Sequence, residues 1–147
     1  MVTIGQASLS DRKEIEKLIA EYYFSEGLTP IKERIEWAVD QHFRGVSPGL
    51  LLVARDEDTI VGVALTVYTP SAELGGVMTV NDFFVRPDHR RTGVGREPAK
   101  CLVEECRLMK VDEIGLEVLY ANETAAAFWR SVGFRPADRL LFRKKLG

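Results

Sequence analysis

Residues 77–105 read VMTVNDFFVRPDHRRTGVGREPAKCLVEE, and the fold turns on how this stretch is divided. VMTVNDFFV (77–85) is rich in β-branched and aromatic residues and apolar on both faces for much of its length, so it reads as an interior strand. Pro87 ends it. Gly93 and Gly95 then let the backbone turn sharply and bring amide N–H groups close to a ligand. Beyond them Ala99, Leu102, Val103, Cys106 and Met109 recur at helical spacing. A strand, a glycine loop and a helix N-terminus in that order favour an anion, because the first helical amides are unpaired and carry partial positive charge. Arg86, Arg90, Arg91 and Arg96 add formal charge beside it.

Working outward, the preceding segments read as antiparallel β. LLLVAR (50–55) and TIVGVALTVY (59–68) flank the turn DED as a hairpin, and TPSAELGG leads into the strand above. Upstream, VTIGQA (2–7) is a short strand. Ile15, Leu18, Ile19, Tyr22 and Tyr23 mark one face of a helix capped at Ser10 or Asp11 and stopped by Gly27. Thr29-Pro30 predicts the start of a second helix, with Ile31, Ile35 and Val39 turned inward and Trp37 beside them. Downstream, IGLEVL (114–119) is a strand, ETAAAFWRSV (123–132) a helix closed by Gly133, and LLFRKK (140–145) a final strand. The order β-α-α-β-β-β-α-β-α-β predicts an α+β (mixed α/β) fold of one domain, residues 1–147.

Composition narrows the function. The 147 residues carry 20 Lys and Arg against 22 Asp and Glu, a net charge of −2, which argues against a general nucleic-acid binder. No run approaches the roughly 18 apolar residues of a membrane span, and the N-terminus lacks a signal-peptide pattern. Cys101 and Cys106 lie on different faces of one helix, and neither a disulfide nor a metal site is expected. A reducing cytoplasm follows as the default location.

Spacing selects among anion loops. A nucleotide P-loop needs Gly-Lys-Ser/Thr, whereas Gly95 is followed by Arg96-Glu97; a dinucleotide fingerprint needs a third glycine where Pro98 stands. What is present is Arg90-x-x-Gly93-x-Gly95. A second motif, NETAAAFWRSVGF (Asn122–Phe134), follows the next strand. Together they resemble the GNAT family of N-acetyltransferases, specifically from about Val80 to Phe134.

That resemblance implies a twisted, mostly antiparallel sheet of six to seven strands with about four helices, and acetyl-CoA as co-substrate without a metal. It places the pyrophosphate on the loop Arg90, Arg91, Thr92, Gly93, Val94, Gly95 and Arg96. Phe84, Val85, Asn122, Ala125, Phe128 and Trp129 complete the implied cofactor contacts. By position, the Val85 backbone amide is the oxyanion donor at the end of a strand that splays from its neighbour.

Chemistry adds the demand for a base. An alkylamine with a pKa near 10.4 is neutral in only roughly one molecule in 2,500 at pH 7. Small-amine (diamine-like) members of the family carry Glu-Asp-Phe-Phe-Val where this chain has Asn81-Asp82-Phe83-Phe84-Val85. Asn81 cannot be a base but can position water or amine; Asp82 is the candidate. Trp129 replaces the family's tyrosine acid, and indole N–H donates a hydrogen bond without delivering a proton. Tyr120 is the candidate substitute. On alternate strand faces, 79, 81, 83 and 85 are expected together, with 80, 82 and 84 opposite.

The acceptor is chosen by YYFSEGLTPIKERIEW (22–37), where aromatics mix with carboxylates. Tyr23, Glu26 and Glu73 are the candidate substrate contacts, suited to a small cationic amine. A protein or peptide N-acetyltransferase and a catalytically weak acetyl-CoA sensor remain alternatives, and homodimer pairing is open. Pro98, where the family has an aliphatic residue, predicts a bent or late-starting helix.

Overall fold

The computed structural model describes residues 2–90 and 96–147, with Arg90 described by its backbone alone. Two compact units divide the chain, Met1–Glu117 and Val118–Gly147.

The first unit is a five-stranded sheet in sequential order, β1 (Val2–Gln6), β2 (Leu51–Asp56), β3 (Thr59–Ser71), β4 (Gly75–Val85) and β5 (Glu113–Leu116). The first four strands pair antiparallel, and β5 joins β4 in parallel. Between β1 and β2 run α1 (Arg12–Ser25) and α2 (Lys32–Phe43); between β4 and β5 run the short α3 (Pro87–Arg90) and α4 (Arg96–Leu108). The alternation of strand side chains separates two cores. On one face Ile15, Leu18 and Ile19 of α1 and Ile35 and Val39 of α2 bury Leu51, Val53, Val63, Leu65 and Phe84. On the other, Leu102 and Cys106 of α4 bury Leu50, Leu52, Ala64, Met78 and Val80. The mixed α+β class expected from the element order is the one observed.

Chain ends of the helices follow local chemistry. Ser8 and Asp11 form a reciprocal capping box before α1, with the Ser8 N–H donating to Asp11 Oδ2 at 2.8 Å. Gly27, at φ +75°, takes the left-handed conformation that terminates α1. α2 departs from expectation: it begins at Lys32, behind an extended Ile31, and not at Thr29-Pro30. Ile31, extended at φ −115° and ψ 105°, takes the N-cap position in place of Thr29. Ile31, left outside the first turn, is 41% exposed and not inward.

In the second unit α5 (Glu123–Ser131) is capped by Asn122, whose Oδ1 accepts from the Ala125 N–H at 3.0 Å. Trp129 meets Phe128 and Phe134 edge-on at 5.1 and 5.0 Å, and Gly133 closes the helix at φ +98°. Among the described residues the sheet has five strands and not six or seven, and the expected last strand, 140–145, is not one of them. Apolar composition alone does not make a strand; a ladder partner does. Among the described residues the α-helices number five, against about four expected, because Pro87–Arg90 closes a turn of its own. Among the described residues, no helix is long and apolar enough to cross a membrane.

Candidate functional site

The site is set by an irregularity in β4. Its register with β3 runs Gly62↔Val85 to Leu65↔Asp82 and then jumps to Thr66↔Val80, leaving Asn81 as an extra residue, a β-bulge. Val80 lies in the α4 core, whereas Phe84 lies in the α1–α2 core. The bulge therefore moves Asp82 and Phe84 to the face opposite Val80, which corrects the simple alternation read from the sequence. Asn81 itself is exposed.

Asp82 is buried, 6% exposed, on the face that α1 covers. The Tyr23 hydroxyl donates to its Oδ1 at 2.5 Å. Tyr22 stands beside Tyr23 at 5.5 Å between ring centroids and against Phe84 at 5.4 Å. Burial pushes the Asp82 carboxyl above its ordinary range, and the Tyr23 hydrogen bond opposes that push. Burial, then the Asp82 charge, raises the Tyr23 phenol; burial, then the Glu26 and Asp82 charges, lifts Tyr22 to about 12. A carboxyl so placed takes a proton more readily than one in water. Tyr23 and Asp82 are 59 residues apart, and no local pattern in the sequence pairs them.

The bulge is held from the next strand. Thr66, fully buried opposite Val80, accepts from the Leu50 N–H at 2.7 Å, and its hydroxyl lies 2.9 Å from the Leu50 carbonyl and 3.1 Å from Met78 Sδ. At the end of β4 the Arg86 N–H donates to the Val61 carbonyl at 2.9 Å. Hydrogen-bonded and non-hydrogen-bonded pairs alternate along an antiparallel ladder, so the neighbouring Val85 N–H points away from β3, toward the β5 side. The parallel ladder with β5 stops at Val80↔Leu116, short of Val85. Gly62, opposite Val85, has the Phe84 carbonyl 3.2 Å from where a Cβ would stand, so a side chain there would press on this strand end.

Other expected residues fall as follows. The Phe84 ring packs into the α1–α2 core, and its backbone is paired with Val63 of β3. Arg91, Thr92, Gly93, Val94 and Gly95 lie outside the described residues, as does the Arg90 side chain. Arg96 opens α4, and Pro98 is buried in its first turn, where a missing N–H breaks no helical bond; α4 forms with it in place. Arg86 is engaged elsewhere, with Nη2 2.9 Å from Glu21 Oε2 on α1. His89, given no role in the sequence, bridges two carboxylates: Nε2 to Asp56 Oδ2 and Nδ1 to Asp88 Oδ1, both at 3.1 Å. Glu26 is the C-cap of α1. Glu73 lies in the β3–β4 turn, six ladder positions or about 20 Å from Asp82, and the fold does not bring the two together. Tyr120, Asn122, Ala125, Phe128 and Trp129 belong to the second unit, where Tyr120 is exposed and Trp129 is buried. Among the described residues no His, Cys, Asp and Glu cluster could hold a metal.

The model of a family described as "Acetyltransferase (GNAT) family" matches residues 12–134. No curated protein sequence matches the chain. Solved structures do match in fold. A possible acetyltransferase from Clostridium difficile 630 superposes with a TM-score of 0.86 at 18% identity, covering 99% of this chain and 98% of that one. A ribosomal-protein-alanine N-acetyltransferase from Brucella melitensis biovar Abortus 2308 gives 0.78 at 20% identity, covering 99% and 100%. An aminoglycoside N-acetyltransferase in complex with CoA gives 0.81 at 14% identity, covering 99% and 95%.

Proposed function

The chain belongs to the acetyltransferase (GNAT) family, and on that premise we propose that it acetylates a small cationic primary amine, diamine-like in character, by direct attack in a ternary complex with acetyl-CoA. The observation that carries the choice of acceptor is the buried Asp82 carboxylate, flanked by Tyr22 and Tyr23 at the end of α1. A carboxylate among aromatic faces suits an ammonium group, by charge and by ring quadrupole.

Acetyl-CoA supplies the acetyl group as a thioester, whose thiol leaves passably as the anion. The Val85 N–H, directed away from β3, donates to the oxygen that gains charge. Asp82 accepts the proton that the ammonium must lose before it can attack. Asn81, exposed beside it, orients the amine or a water. Arg96 and the loop before it take the pyrophosphate, supported by the start of α4. With Trp129 unable to donate a proton, Tyr120 is assigned the thiolate's acid if one is needed. The whole chain, 1–147, acts as one catalytic domain.

A second reading has its own support. Phe24, Leu28 and Ile31, around the α1–α2 connection, are 80%, 45% and 41% exposed, an apolar rim that suits a peptide acceptor.

Release of free CoA thiol from acetyl-CoA, measured with a putrescine and spermidine pool, a lysine-peptide pool and an aminoglycoside pool, tests the proposal. Turnover confined to the polyamine pool is the expected result. Turnover with peptides alone transfers the assignment to the second reading. A thermal shift with acetyl-CoA but no turnover in any pool points to a sensor.

A further inference from the structure

We infer that Tyr23 is a positioning residue for the reaction, holding Asp82 in the ionised, oriented state in which it can receive the acceptor's proton. The inference rests on the reading of Asp82 as the base and adds what that base needs in order to work.

The argument begins with geometry. The bulge at Asn81 turns Asp82 under α1, into a core of Phe84, Leu65 and Ile19, where an isolated carboxylate is costly. Tyr23 reaches it from the inward face of α1 with a short hydrogen bond. Tyr22, itself packed against Phe84, stands beside the Tyr23 ring. The hydroxyl is therefore delivered by a helix packed into the core, on side chains held by aromatic neighbours. A donor to the charged form favours that form.

The surrounding charges leave this role to Tyr23. From α1, Tyr22 also faces the region as a neutral phenol, and the Glu26 charge acts on Tyr22. From β3, Leu65 and Thr66 bring no ionisable group, and α2 contributes Ile35 and Val39. Along β4, Asn81 is neutral. Arg86 lies four residues on and is matched by Glu21. The hydrogen bond from Tyr23 is accordingly the group on this face that lowers the carboxyl toward its ordinary range, against burial.

The deciding measurement is the ¹³Cγ titration of Asp82 in the full chain labelled at aspartate, for the wild type and Tyr23→Phe. The variant keeps the ring and its contacts, and its melting temperature reports folding. The expected result is an Asp82 midpoint at higher pH in Tyr23→Phe. The acid limb of kcat/KM should move the same way, with kcat/KM at pH 6.5 lowered roughly tenfold, the scale of one hydrogen bond to a charged group. An unmoved midpoint overturns the inference, because a purely structural tie between α1 and β4 would alter melting without altering titration. Asp82→Asn, assayed with the amine pool that the wild type acetylates, separates the two layers. If Asp82→Asn keeps wild-type turnover, the base reading fails; if it is inactive while Tyr23→Phe leaves midpoint and limb in place, only the role of Tyr23 fails.

Discussion

A carboxylate buried beside two phenols costs folding free energy in proportion to how far its proton affinity has been raised, and Asp82 carries that cost for the whole chain. Its folded pKa lies above its unfolded value, so the folded state binds the extra proton. Stability should then fall as pH rises from the ordinary carboxylate range through the raised folded value. Asp82→Asn removes the charge and keeps both the volume and an acceptor for the Tyr23 hydroxyl. The variant should melt higher than the wild type at pH 7.5, by roughly 2–4 °C for about 1 kcal/mol in a domain of this size. The gap should close as pH falls through the raised folded value, where Asp82 takes up its proton. Scanning calorimetry on either side of that value checks this. A variant that melts lower at pH 7.5 would show that the ionised Asp82 stabilises the fold. The same residue illustrates what a sequence can and cannot say. That Asp82 is the available carboxylate on β4 follows from Asn81-Asp82-Phe83 as written. That it faces Tyr23 follows from a bulge, which depends on the pairing of two strands and leaves no mark on either one alone.

At the scale of elements, the hairpin β2–β3, strand β4 and the apolar face of α4 were legible because alternation and helical periodicity are local consequences of which side is buried. α2 begins two residues later than Thr29-Pro30 implies, because a cap signal marks where a helix can start and not where it does. The last strand was misread because LLFRKK (140–145) has strand composition but no place in the sheet. Thr66 was invisible for another reason: a threonine in a β-branched run looks like any other strand residue. In the fold it is the buried group that satisfies the Leu50 N–H beside the bulge. Thr66→Val keeps the shape and strands that donor in the core. The expected cost is about 1–3 kcal/mol, read as a lowered midpoint in urea with an unchanged slope. Serine at the same position should recover most of the loss, because it restores the acceptor while missing one methyl group. If valine is neutral, the Leu50 amide has another partner and the bulge is held by packing.

Across the whole molecule, the two histidines are set in opposite environments, and the sequence gives no hint of it because each environment is built from distant segments. His89, on α3, joins Asp56 at the β2–β3 turn to Asp88 on its own helix, tying the far end of the hairpin to the segment that leads into the glycine loop. The hydrogen bonds to Asp56 and then Asp88 raise its pKa above the usual value. His42, in the last turn of α2, lies edge-on to Phe43, and its buried Nδ1 has no hydrogen-bond partner among the described residues. Burial lowers its pKa. The signs then oppose. The stability contributed by His89 is fully present below about pH 6.5 and is lost as pH rises through its raised folded value. That contributed by His42 is fully present above about pH 6.5 and is lost as pH falls through its lowered folded value. Comparing each Gln variant with the wild type between about pH 5 and about pH 8.5 isolates the two, because Asp82 titrates alike in all three proteins and cancels. The deficit of His89→Gln should be greatest at the acid end and shrink by roughly 1–3 °C toward the alkaline end. For His42→Gln the difference from the wild type should run the other way, with the variant gaining relative to the wild type as pH falls. Parallel slopes for the two variants would mean that His89 is not held as an imidazolium between its carboxylates. The link between hairpin and α3 would then be packing alone, and the approach to the loop would not respond to pH in the physiological range.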